Sequence, residues 1–340
     1  TKDSNDNTVR KTEYTKTTPD GKTSVDSESV SRKIDNGSQT DSRKTTVVKD
    51  KDGKVIDETK VIKTGKNTET DTEKKNSSST ETIRNGASET KESSSVESKD
   101  VSGLKSSVEV EKKGDSIIKA ESVTTLPTKD GSVDADSVQK AIDQSSAAMD
   151  EVSVDNGKIS KTIEVRNDSG ASVTVSSEAI VRISEHGASL KVGSGKESIH
   201  VDEKVVNRLS GDKDVKLEMD RNVHGDLNDK QKQIVGDRQF IVLGAFVGDS
   251  RIHELGGVAT VVFGYELRDG DDPSRLCVWY VDDNGVRTKM TASYDQSAGR
   301  FTMETTHFSV FMVAPEDEPA QMPDDSQGSD GNDGGSDTML

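Results

Sequence analysis

Apolar side chains are scarce in this chain. Hydrophobic residues make up 29% of its 340 positions and aromatics 3%, against roughly 45–50% apolar, glycine included, in ordinary globular proteins. So poor a sequence cannot bury one continuous core along its whole length. Part of it is expected to be disordered, or to be sheet with both faces in water. A cysteine pair is missing too. Cys277 stands alone, which excludes an intramolecular disulfide scaffold and leaves the compartment open. Nor is there a surplus of positive charge: 46 Lys and Arg face 63 Asp and Glu, for a net charge of -17. That balance argues against nucleic acid, whose phosphates need cations, and against anionic membrane surfaces. It favours solubility instead. The chain begins at Thr1 without an initiator Met or an apolar leader, and ends without an apolar anchor. It is therefore expected to be a fragment, with any signal peptide or anchor lying outside it.

What is present is unevenly distributed. Tyr14 is the only aromatic before Phe240, and all the others fall between Phe240 and Phe311. Aromatics carry much of a core's buried area, so the best core is expected near the C-terminus. Residues 1–103 are Thr, Ser, Lys, Asp and Glu with isolated Val and Ile. Turn signals recur at Pro19-Asp20-Gly21, Asp35-Asn36-Gly37, Asp50-Lys51-Asp52-Gly53 and Asn85-Gly86, with Gly21, Gly37 and Gly53 spaced by 16 residues. Asn-Gly and Asp-Gly supply the positive φ of tight hairpins, and Thr and Val between them favour strands. This predicts a β-meander stalk, with plain disorder as the competing reading. Residues 66–100, where Ser and Glu dominate, are the stretch most expected to lack structure.

Residues 104–222 read as a β-rich domain. Alternation predicts strands at 106–111, 116–125 and 158–166, a turn at Asn156-Gly157, and a helix over 134–150, capped by Asp134 or Asp136. An internal repeat follows. Val173-Thr-Val175 and Ile199-His-Val201 each open a strand, short helix, strand unit, offset by 26 residues. Ser176 and Asp202 occupy the same place in each and are good helix N-caps. Residues 223–315 predict an antiparallel, sandwich-like module: a polar connector at 226–236, then strands at 240–246, 258–267, 276–281, 288–294, 301–305 and 308–313. Residues 316–340 are an acidic, disordered linker. The fold class expected is mainly β: an extended polar β-meander stalk, then small α+β and antiparallel β-sandwich-like domains.

The last module carries a recognisable run: Gly264-Tyr-Glu-Leu-Arg-Asp-Gly-Asp-Asp-Pro273, Val278-Trp-Tyr-Val-Asp-Asp-Asn-Gly285, Tyr294-Asp295 and Thr305-Thr-His-Phe-Ser309. It resembles a module of repeat-rich prokaryotic cell-surface, adhesin-like proteins of the type associated with S-layer homology modules. The sequence departs at Gly264, where that family has Pro, and at Val310-Phe311, where it has an aromatic followed by a small residue. The helix at 134–150, the paired repeat and the Thr-rich N-terminal region resemble the upstream parts of such proteins more weakly. The resemblance implies an extracellular, adhesin-like or cell-envelope role, and no reaction.

Candidate chemistry is thin. His307 and Ser309 lie close in sequence, but no Gly-x-Ser-x-Gly elbow accompanies them, and His307 is expected simply to close a strand. His186, His200, His224, His253 and His307 are scattered without the i, i+4 spacing of a helical metal site, so zinc is not expected. Asp50–Gly53, Asp269–Asp272 and Asp282–Gly285 offer carboxylates for calcium. Asp and Asn before Gly are also what turns require. Asn36, Asn76 and Asn167 begin glycosylation sequons, which Ser-rich chains produce by chance. Trp279 and Tyr280 are the candidate ligand-binding pair, as an aromatic platform for sugar. Adjacent strand residues face opposite sides, which favours a core role for Trp279. No catalytic, metal or cofactor site is expected. The expected function is a non-catalytic extracellular stalk and spacer. The alternatives are a carbohydrate- or protein-binding adhesin module, or an accessory region of a larger secreted hydrolase. Partners would be cell-envelope glycans or ligands on host or neighbouring surfaces, with no nucleic acid and no membrane contact.

Overall fold

A computed structural model of the chain describes residues 1–2, 7–128, 130–154 and 158–316. The turn expected at Asn156-Gly157 and the tail from residue 317 onward lie outside the described residues. The fold is mainly β, with 58% of residues in strands and 14% in helices.

The first third of the chain is a ladder of hairpins. Its strands are β1 (Thr8–Thr18), β2 (Gly21–Ile34), β3 (Gly37–Asp50), β4 (Val55–Glu69), β5 (Glu73–Arg84), β6 (Ala87–Ser98), β7 (Lys105–Lys113) and β8 (Ser116–Thr128), each paired antiparallel with the next. The turns fall where Asn and Gly predict them. Asn85 and Gly86 take φ of 48° and 87°, the backbone a two-residue hairpin loop demands. Among the described residues no second layer packs on the sheet over β1–β5, and these strands contain no buried residue.

The stretch 66–100 departs from expectation, since it forms the end of β4 with β5 and β6. Ser and Glu add little burial here. Order comes from ladder hydrogen bonds on both sides, helped by cross-strand contacts such as Ser78–Ser93 at 2.9 Å. A second layer begins at β6. Helix α1 (Ala135–Met149) lies over β6–β8 and closes a small core of Val96, Val108, Val110, Ala148 and Met149. Its N-cap is Asp134, whose carboxylate accepts from the Ser137 amide at 2.7 Å. Even here the packing is partly polar: the buried Ser94 hydroxyl donates to the Ala148 carbonyl, and Ser122 meets Ser145 at 3.1 Å.

The remaining strands are β9 (Ser132–Val133), β10 (Ser160–Asn167), β11 (Val173–Val175), β12 (Ala188–Gly193), β13 (Ser198–Val201), β14 (Val215–Arg221), β15 (Phe240–Val247), β16 (Ser250–Arg251), β17 (Glu254–Gly264), β18 (Leu276–Val281), β19 (Arg287–Lys289), β20 (Ala292–Asp295), β21 (Arg300–His307) and β22 (Val310–Pro315). The ladder continues through β10, β12, β13, β17, β21 and β20 into one 14-stranded sheet. A second sheet runs β19-β18-β22-β15-β14-β11-β9, with β16 on β15. The main core lies between the sheets. Ile163, Leu190, Val261 and Phe301 of the first share a buried cluster with Leu217, Leu243, Val278 and Phe311 of the second.

The internal repeat forms around helices α2 (Ser177–Glu185) and α3 (Glu203–Leu209). Ser176 and Asp202 cap them, accepting from the Ala179 and Val205 amides. Strands pair across the repeat and not within it: β12 with β13 in the first sheet, β11 with β14 in the second.

Three expectations need correction. The polar connector at 226–236 contains helix α4 (Asp229–Val235), started by a capping box of Asn228 and Gln231. It buries Ile234 and Val235 on the outer face of the second sheet, against Phe240 and Met312. The strand read over 288–294 is two, β19 and β20, in different sheets. The strands of 223–315 do not close on themselves, because they complete both sheets: β17 pairs with β13, and β15 with β14. Paired strands thus cross both expected boundaries, at 103/104 (β6 with β7) and at 222/223.

Candidate functional site

Strand β18 separates the predicted aromatic pair. Tyr280 faces the main core, half-buried, with its ring 4.5 Å from that of His307 and 6.0 Å from Phe311. Burial first, and Asp282 second, push its phenol pKa up. Trp279 faces the α4 side. Its indole N–H donates to the Ala314 carbonyl at 3.3 Å, and the Arg287 guanidinium lies 5.0 Å over its ring. The two rings form no common platform, since they sit on opposite sides of the sheet.

His307 ends β21 inside this aromatic group, with its ring stacked at 5.8 Å on Phe311. Its backbone carbonyl accepts from the Thr305 hydroxyl at 2.8 Å. In each of the three acidic loops one carboxylate caps its own turn. Asp50 accepts from the Asp52 and Lys54 amides, Asp272 from the Ser274 amide and hydroxyl, and Asp282 from the Asn284 and Val286 amides. Asp271 accepts from the Tyr265 hydroxyl at 2.8 Å, and Tyr265 is pushed up, by burial first and Asp271 second. Among the described residues no group of three His, Cys, Asp or Glu side chains is gathered for a metal ion. Of the sequon asparagines, Asn167 is buried and bonds Ser172.

One cluster escapes sequence reading. On the outer face of the first sheet, a cleft of about 510 Å³ is lined by Lys161, Ser189, His200, Asp202 and Glu203. The Ser189 hydroxyl stands 2.8 Å from His200 Nε2 and 2.9 Å from the Thr162 hydroxyl. No sequence signal marks this pair, because the β12–β13 register brings it together. The Ser189 hydroxyl also lies 3.1 Å from the Lys161 carbonyl, so it has three polar neighbours. Asp202 does not orient the imidazole, since one carboxylate oxygen accepts from the Val205 amide and the other from the Val258 amide. These contacts tie the cluster to β10, β12, β13, α3 and β17.

No family model, curated protein or solved structure matches this chain. Its most distinctive feature is the uncovered ladder that leads into the two-sheet head.

Proposed function

We propose that the chain is a non-catalytic stalk and spacer of a large prokaryotic surface or secreted protein, with an adhesin-like or cell-envelope role. The observation that supports it is the run β1–β5, one sheet thick and with water on both faces. Such a sheet buries too little to form a deep site. Each added strand lengthens it by one spacing of about 4.8 Å, so the eight-stranded ladder reaches about 34 Å. Its strands of 11 to 15 residues in β1–β4 make a ribbon roughly 35–50 Å wide. The two-sheet head carries the motifs whose resemblance to surface-protein modules motivates the extracellular location. In this reading the ladder holds whatever precedes it away from the head.

Protease shaving of intact source cells, with peptides identified by mass spectrometry, tests the location. Release of peptides from residues 1–103 without lysis is the expected result. Peptides that appear only after lysis, from cells whose other surface proteins are cleaved, overturn the proposal.

A further inference from the structure

The two faces of the ladder differ in charge. Residues directly opposite in an antiparallel sheet point to the same side, and alternate residues point to opposite sides. The register therefore assigns every side chain of β1–β4 to a face. One transverse row runs Lys11, Glu28, Arg43, Ile62, and its neighbours bring Asp41, Glu13 and Asp26 to the same side. This face is mixed: acids stand among its cations, and Lys11 pairs with Glu28 and Arg32 with Asp41.

The opposite face is different. Its central row runs Arg10, Ser29, Ser42, Lys63, and the next row places Lys44 beside Ser27. In the three rows from Thr8 to Thr12 across to Gly65 to Val61, no acidic residue faces this side. Among the described residues, Arg10, Lys44 and Lys63 make no ion pair, and the Ser29 and Ser42 hydroxyls have no side-chain bond. The long cations stand around the short serines, leaving a shallow cleft of about 540 Å³. Glu28 and Arg43 border it from strands whose side chains point to the other face. Tyr14 lies on the same side as Arg10, 55% exposed, the one aromatic among the large exposed apolar side chains of the described residues.

We infer that this face of β1–β4 is a binding site for an anionic polysaccharide. Arg10, Lys44 and Lys63 would meet its sulfate, phosphate or carboxylate groups. Ser29 and Ser42 would hydrogen-bond sugar hydroxyls, and Tyr14 offers a flat apolar face to a sugar ring. Arg10 and Lys63 are three strand spacings apart, about 14 Å, so the cations are spread along the face. The serines and Tyr14 add contacts to free hydroxyls and sugar rings, which duplex DNA, with its sugar oxygens tied up in phosphodiesters, does not present. The site lies at the far end of the ladder from Trp279 and Tyr280 and does not depend on the spacer role.

The test is capture of the full chain on immobilised heparin, polygalacturonate, uncharged dextran and duplex DNA at about 50 mM salt, where surface charges are weakly screened. Binding to heparin, polygalacturonate or both, but not to dextran, is expected; which of the two binds identifies the anionic group. The triple variant Arg10→Ser, Lys44→Ser, Lys63→Ser should lose at least tenfold, and Tyr14→Ala about threefold or more. The matched variant Lys22→Ser, Lys49→Ser, Lys60→Ser removes equal charge from the other face and should stay within twofold. Failure to bind either anionic polysaccharide overturns the site. So does an equal loss in both triple variants, or DNA binding as tight as polysaccharide binding with no effect of Tyr14→Ala.

Discussion

His186 shows how much one side chain's surroundings matter. It caps the end of α2, and its Nε2 is buried without a hydrogen-bond partner. Burial, and secondarily Lys161, lower its pKa from 6.5 to about 4. The unfolded chain therefore takes up this proton first as pH falls. The stability that depends on neutral His186 is complete above about pH 6.5 and is lost progressively towards pH 4. The urea midpoint should fall across that interval, and His186→Gln should flatten the decline. His200, shifted the same way by burial and Lys191, keeps part of the slope. An unchanged slope in His186→Gln would show that the histidine is not held neutral. None of this is visible in sequence, where His186 is one of five scattered histidines. Tyr14 is a similar case. Its isolation among polar residues is plain in the sequence, but its place on the same face as Arg10, Lys44 and Lys63 depends on register across four strands.

At the scale of elements, local signals were legible and long-range allocation was not. Hairpin turns, α1 and the twin helix starts at Ser176 and Asp202 each depend on a few neighbouring residues. The two caps also differ in a measurable way. Ser176 satisfies one helix amide, so Ser176→Ala should cost about 1 kcal/mol. Asp202 satisfies the Val205 amide and also the Val258 amide on β17, so Asp202→Ala should cost about 2 kcal/mol or more. Equal losses in denaturant unfolding would mean that the second bond contributes nothing. Helix α4 was missed because Asp, Lys and Gln dominate it and its two apolar anchors come late. The Asn228–Gln231 capping box was the signal available. The division of β19 from β20 had no local signal at all. Each strand joins the sheet that offers it a partner, Trp279–Tyr280–Val281 for β19 and Phe301 to Met303 for β20.

Over the whole molecule, scarcity of apolar residues settles where the second layer can exist. The ladder β1–β5 is held by backbone hydrogen bonds and side-chain rows, while the main core draws on residues from Leu104 to Val313. Segments with few buried apolar contacts open at lower free energy. Native-state hydrogen exchange should therefore show amides of β1–β4 exchanging through local opening, with those of β12, β13 and β17 protected up to global unfolding. Uniform protection along the 14-stranded sheet would contradict this.

The crosswise strands have a mechanical consequence. A pull between β1 and the head loads the ladder one strand pair at a time, as a zipper is opened, and not all pairs together in shear. Each strand that peels away gives up about 4.8 Å of ladder and frees 11 to 15 residues, roughly 37–50 Å of extended chain. On this geometry, tension lengthens the ladder in steps while the head, with its buried core, stays folded.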